Sequence, residues 1–269
     1  MAIDLTLVVK KIQKLDGFIT LFSPLTRMPY VECDPETFDD QIHIFASEES
    51  SKEFAKTLLE KTIPVTPLKI AQPQMNGFFS SLYALDVNAV IFHDDAGITR
   101  LETENLVKRP DMEKLMNEKI PIMNPPLTLT TIYFLQELRR PVKHDMAQLH
   151  ELEDEMIANL MKARLIMGIE TVNDEENTDP EKVNMKNVRI PFVKTKEGDI
   201  YQTIYSDFSE FRKYTGPNAP NQRMSTLTFQ QLPHFLIKDS KGFVLNPAGV
   251  NLVLTGEQIR KVLESFQPE

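Results

Sequence analysis

The chain has 269 residues, 41% of them apolar and 26% charged, which suits a folded core and excludes wholesale disorder. Acidic side chains outnumber basic ones 39 to 30, so the net charge of −9 repels a phosphate backbone and argues against nucleic acid as a partner. One cysteine, Cys33, excludes an internal disulfide and fits a reducing compartment. No stretch reaches the roughly 18 apolar residues of a membrane span. The apolar run Leu5 to Val9 lacks a basic leader and a cleavage site, so no signal peptide and a cytoplasmic location are expected.

In chain order, Met28-Pro29-Tyr30-Val31 and Gln41 to Ala46 predict a hairpin across the turn Asp34-Pro35-Glu36. Ser47 then offers a side-chain cap to a helix, because its oxygen can accept a backbone N–H that lacks an intrahelical partner. Met75, Phe78, Phe79, Leu82 and Tyr83 recur at helical spacing. Ala89 to Phe92 and Ile98 to Leu101 predict a second hairpin around Asp94-Asp95-Ala96-Gly97, with Thr103 as a barer helix cap.

The middle of the chain predicts two helices. Leu129 to Arg139 follows Pro125-Pro126 and stops at Pro141. A longer helix starts at the cap Asp145, with Leu149, Leu152, Met156, Leu160, Ala163 and Met167 on one face and Gly168 as terminator. Methionines 112, 116, 123, 146, 156, 161 and 167 make this region Met-rich, which suits core filling more than a binding groove. Arg139 to His144 is the best basic patch, and it is short. Asp174 to Glu181 reads as a mobile acidic loop.

The second half repeats the order of the first. Ile190-Pro191-Phe192-Val193, a turn at Lys196 to Asp199, and Ile200 to Tyr205 predict a hairpin; Ser206-Asp207-Phe208 predicts a capped helix start, with Glu210 placed for a capping box. Phe229 to Ile237 reads as a helix interrupted by Pro233. Gly242 to Leu245 and Val250 to Leu254 flank the turn Asn246-Pro247-Ala248-Gly249. Thr255 with Gln258 is a capping box for a helix to Phe266.

Chemical motifs are sparse. No glycine-rich phosphate loop and no nucleophile-elbow serine is present. His93-Asp94-Asp95 could hold a metal, but three adjacent side chains in a turn rarely converge on one ion, so a polar turn is favoured. Cys33 with His43 lacks a third orienting residue and reads as a half-buried cysteine. Asp207 is favoured as a helix cap over a general base, and Asn246 as a turn residue over a ligand contact.

The copy-two residues Ile190 to Val193, Gly198, Tyr205-Ser206-Asp207 and Asn246-Pro247-Ala248-Gly249 occur in an order that resembles the SseB (enhanced serine sensitivity) family. The resemblance spans about residues 188–263, with the helix from Asp145 as an extension. The first half departs from it, with Ala46-Ser47-Glu48 and Asp94-Asp95-Ala96-Gly97 at the matching places. The resemblance implies no established reaction, cofactor or catalytic residue.

The resulting expectation is an α+β protein of two similar domains, each a mixed, largely antiparallel sheet flanked by helices. Residues 1–110 form a divergent copy, 111–144 a helical linker and 145–269 the clearer copy. The expected function is a non-enzymatic cytoplasmic binding or adaptor protein without cofactor or metal. It would act on another protein or a small metabolite through Tyr205, Ser206, Asp207, Asn246, Pro247 and Gly249. It would be a monomer with a pseudo-two-fold, or a homodimer. The alternatives are an amino-acid sensor, suggested by the family's name, and an enzyme with a site between the copies that pairs Asp207 with His234.

Overall fold

A computed structural model describes residues 4–109, 122–171, 188–216 and 222–266. The chain divides into two units. One comprises residues 1–120 and 128–153, the other residues 121–127 and 154–269.

The first unit opens with α1 (Leu5–Gln13), capped by the Asp4 carboxylate, and β1 (Gly17–Ser23). The short strands β2 (Met28–Pro29) and β3 (Glu32–Cys33) lead into β4 (Asp40–Phe45). Ser47 caps α2 (Glu48–Glu60) as expected, its Oγ accepting the Ser50 N–H at 3.2 Å. Then come β5 (Thr66–Ala71), a 3-10 turn at Gln72–Gln74, α3 (Met75–Leu82), β6 (Ala89–Asp94), β7 (Gly97–Glu102) and α4 (Thr103–Leu106). The cap position of α4 is Glu102; Thr103 instead donates its hydroxyl to the Val87 carbonyl at 3.0 Å.

The strand order is β2-β1-β4-β6-β7, with β3 on β4 and β5 on β1. Among the described residues only β4 and β6 run parallel; the other pairings are antiparallel. Alternation along β4 turns Gln41, His43 and Phe45 to one face. There α2 brings Phe54, Ala55 and Leu58 against Ile19, Leu21, Tyr30 and Phe45.

Helix α5 (Pro125–Leu138) starts earlier than expected, since Pro is tolerated in a first helical turn. Its Tyr133 donates to Asp40 Oδ1 at 2.5 Å, and Gln136 Nε2 donates to the Val31 carbonyl at 2.9 Å. The basic patch is used internally: Arg139 donates to the Leu25 carbonyl, and Arg140 to Glu137 and the Lys61 carbonyl.

Helix α6 (Met146–Lys162) corrects the long-helix expectation. It stops before Ala163, and β8 (Arg164–Thr171) contains both Met167 and Gly168. Leu160, Ala163 and Met167 keep helical spacing across the break, so periodicity hides it. Gly168 terminates nothing. A Cβ there would lie 3.1 Å from Phe211, so glycine lets a helix approach the strand.

The second unit continues with β9 (Val188–Arg189), β10 (Phe192–Lys194), β11 (Ile200–Tyr205), α7 (Phe208–Thr215) and β12 (Gln222–Thr228). After a 3-10 turn at Phe229–Gln231 come α8 (Leu232–Phe235), β13 (Ser240–Leu245), β14 (Leu252–Thr255) and α9 (Gly256–Ser265). Pro233 sits in the first turn of α8, where its missing N–H costs no intrahelical bond, so the proline marks the start of this four-residue helix rather than interrupting it. The Thr255–Gln258 capping box of α9 is present.

Its strand order is β12-β8-β11-β13-β14, with β10 on β11 and β9 on β8, the same order as in the first unit. Again, among the described residues only the central pair, β11 and β13, is parallel. Each sheet is thus mixed, mostly antiparallel and flanked by helices. Met112, Met116 and the acidic stretch Asp174 to Glu181 lie outside the described residues.

Candidate functional site

In the second unit the two parallel strands end side by side, and the chain leaves them at Ser206 and Asn246. The fold therefore gathers the polar residues singled out in the sequence. Ser206 N–H donates to Asn246 Oδ1 at 2.9 Å, and Asn246 Nδ2 donates back to Ser206 Oγ at 2.8 Å. Ser206 Oγ–H donates to Asp207 Oδ2 at 2.7 Å. Asp207 Oδ1 accepts the Glu210 N–H at 3.0 Å, which makes Asp207 the N-cap of α7. Asn246 adopts a left-handed φ of 50°, which Asn tolerates, and its carbonyl accepts the Gly249 and Asn251 N–H groups. Asn124 Nδ2 donates to the Ser206 and Arg164 carbonyls.

This network is buried. Ser206 is 0% exposed, Asn246 2% and Asp207 6%, and Pro247 and Gly249 are buried as well. Tyr205 is buried against Ile166 and Phe211, its ring 5.2 Å edge-on from Phe211. Burial holds the Tyr205 phenol well above its ordinary range, so it donates to Thr203 Oγ1 rather than ionising. Ala248 alone in the turn is exposed, and Ser209 at the start of α7 is exposed as well.

Glu210 turns its carboxylate away from the expected capping box and bonds Lys213. Its other oxygen, Oε2, is buried without a partner among the described residues. Burial, aided by the charge of Asp207, holds the Glu210 carboxyl above its ordinary range despite Lys213. Gly249 lies directly on this carboxylate, leaving a space that a Cβ would fill at 2.3 Å from Oε2. His234 is exposed and Asp207 is fully used by Ser206 and the helix cap, so the two form no His–carboxylate pair.

The registers identify the matching positions in the first unit. Ile44 pairs with Phe92 where Ile204 pairs with Leu245, and the caps Glu102 and Thr255 pair with Ala89 and Gly242. Phe45, Ala46 and Ser47 therefore stand where the second unit has Tyr205, Ser206 and Asp207. His93, not Asp94, stands in the place of Asn246. The motif comparison is one residue out in both segments: it sets Ser47 against Ser206 although Ser47 and Asp207 are the equivalent helix caps, and it sets Asp94 against Asn246 because the first unit closes its hairpin between Asp94 and Gly97 with a shorter loop.

A different polar group occupies this place. Glu32 on β3, His43 on β4 and His93 on β6 form a chain, with Glu32 Oε1 2.8 Å from His43 Nε2 and His43 Nδ1 2.9 Å from His93 Nε2. Tyr30 and Gln41 also donate to Glu32. Phe54 of α2 lies 4.4 Å from the His43 ring, and Phe45 stacks 4.4 Å from His93. Burial opposes the charge on Glu32, but the His43, Gln41 and Tyr30 bonds outweigh it and hold the carboxyl below its ordinary range. Burial, then repulsion by His43, pushes His93 down to about 4 against the pull of Glu32.

Sequence reasoning missed this chain because Glu32, His43 and His93 are 11 and 50 residues apart. The only local hint was His43 alternating with Gln41 and Phe45 inside an apolar strand. His93 thus turns to His43, while Asp94 binds Lys11 and the Ala96 N–H. Among the described residues no group of three metal-ligating side chains converges. Cys33 is exposed rather than half-buried as expected, beside the Asp34 carbonyl at the end of a two-residue strand, while His43 is engaged by Glu32 and His93.

Among known proteins, residues 143–261 match the family model described as the SseB protein N-terminal domain. No curated protein matches. Two solved structures align: Tic22 from Plasmodium falciparum, at 10% identity over 96% of each chain, and Anabaena Tic22, described as protein transport, at 11% over all of each chain. Both have a TM-score of 0.22, too low to transfer fold or function. No helix among the described residues is long and apolar enough to cross a membrane.

Proposed function

We propose, from the match of residues 143–261 to the SseB family model, that the chain is a non-enzymatic, cytoplasmic binding or adaptor protein whose second unit docks another protein. One observation carries this reading: the polar groups at the ends of β11 and β13 satisfy one another. Ser206, Asp207 and Asn246 spend their side-chain groups on one another and on the cap of α7, and Glu210 Oε2, unpartnered among the described residues, is buried beneath Gly249. What the network does is hold two chain turns in fixed relation, and a rigid surface loses little entropy on binding. Ser206, Asp207, Asn246 and Gly249 then act as positioning residues, and Ala248 and Ser209 are the surface that meets the partner. The common topology of the two units supports reading the first as a diverged copy. Affinity capture with quantified recovery tests the site. Ala248→Arg should abolish recovery of the partner that the wild-type chain retains.

A metabolite-sensing role has one observation of its own. The first unit holds a cavity of about 330 Å³ with a floor of Ile12, Met75 and Phe79 and a rim including Gln13, Gln72 and Asn76. An apolar floor with a few polar groups suits a small amphipathic ligand. In a thermal-shift screen of amino acids, a ligand at 100 times its Kd would add about 2.7 kcal/mol of stability. A flat screen removes this second role.

A further inference from the structure

We infer that Glu32, His43 and His93 form a proton-binding relay that fastens α2 to the first sheet at neutral pH and loosens it on acidification. The three side chains come from adjacent strands, share the face that α2 covers, and are bonded in line.

The proton positions follow from the chain of bonds. Ionised Glu32 accepts, so His43 Nε2 carries a hydrogen and its Nδ1 accepts from His93 Nε2–H. His93 Nδ1 is then the one ring nitrogen of the four without a hydrogen bond among the described residues. A first proton adds there. The Nε2 proton of His93 passes to His43 Nδ1, leaving a neutral His93 and an imidazolium held by Glu32. One bond to hydrogen forms at each ring, one breaks at His93, and no heavy atom has to move.

A second proton cannot be absorbed in this way. Both facing nitrogens would carry hydrogens 2.9 Å apart, with two like charges and no acceptor between them. The rings must separate, and they are wedged between Phe45 of the sheet and Phe54 of α2. The groups facing the pair leave this response to the histidines. Glu32 comes from β3, with Tyr30 bonded to it and Arg140 of the α5 end acting on Tyr30. From β7, Ile98 lies opposite His93, and Arg100 is already paired with Asp39 and Glu102. From α2, Phe54 meets both rings.

The sign is set by the direction of the His93 shift. Its affinity for the second proton is lowered from 6.5 to about 4 in the folded state, so the unfolded chain binds more protons between those values. Stability is full above 6.5 and is lost as pH falls through this window. The second unit contains its own control, because Val193, Thr203 and Asn246 occupy the matching places and none titrates.

The test is pH-dependent hydrogen exchange of the full chain, corrected for intrinsic rates, with His93→Asn placing the second unit's residue at this position. Between pH 6.5 and pH 4 the wild-type α2 amides should lose protection by about tenfold or more relative to those of α7, and His93→Asn should flatten that difference. Parallel loss in both proteins would overturn the relay. Should the variant fail to fold, imidazole 15N spectra of the wild type decide. A His93 with Nε2 protonated at neutral pH and a midpoint well below 6.5 supports the relay; an ordinary midpoint refutes it.

Discussion

A methyl group at Gly249 would stand 2.3 Å from Glu210 Oε2, inside any real contact distance, so glycine here answers a close approach. Gly249→Ala should destabilise the chain by about 1–3 kcal/mol. Shortening the obstacle should restore much of this: Gly249→Ala with Glu210→Ala should be less unstable than the sum of the single variants, read by urea unfolding of all four proteins. Simple additivity would mean that the loop and the carboxylate do not touch. At this scale the sequence is informative about the turn and silent about its neighbour. Asn246 and Gly249 are readable as turn residues, but nothing local says that a helix residue 39 positions earlier lies beneath them. The one-residue misplacement of His93 has the same origin, since register is set by strand pairing and not by the spacing of turn residues.

Helix caps were the most legible elements because the cap oxygen and the N–H it accepts are neighbours in sequence. Ser47, Asp207 and Thr255 all cap where their side chains predict. Their costs should differ. Ser47→Ala removes a part-buried cap and should cost about 1 kcal/mol. Asp207→Ala also strips the acceptor from buried Ser206, so about 2–4 kcal/mol is expected. Equal losses in thermal unfolding would contradict the network. Strands β1, β5, β8 and β12 escaped the sequence reading. Five of the seven residues of β1 are buried, so it shows no alternation. β8 continues the apolar spacing of α6 past the true break at Ala163. β12 is largely polar, and β5 carries Pro67 and Lys69, features of an edge strand that weaken a pattern-based reading.

Across the whole molecule, two sheets share one strand order yet use the ends of their central parallel strands differently. In the second unit a neutral amide locks two turns; in the first the matching position holds a histidine linked to a carboxylate. The family match covers the unit with the amide, and the first unit's motif residues depart from the pattern that made the second legible. The proposed recognition surface thus lies on the second unit and the proposed proton response in the first.

Partner recovery by Ala248→Arg, paired with urea unfolding of the same protein, decides whether this turn is the docking surface. Ala248 is exposed while the turn residues on either side are buried. Stability should stay within about 0.5 kcal/mol of wild type, as for surface substitutions generally, while recovery is lost. Unchanged recovery from an equally stable protein would contradict the assignment of this surface as the docking site.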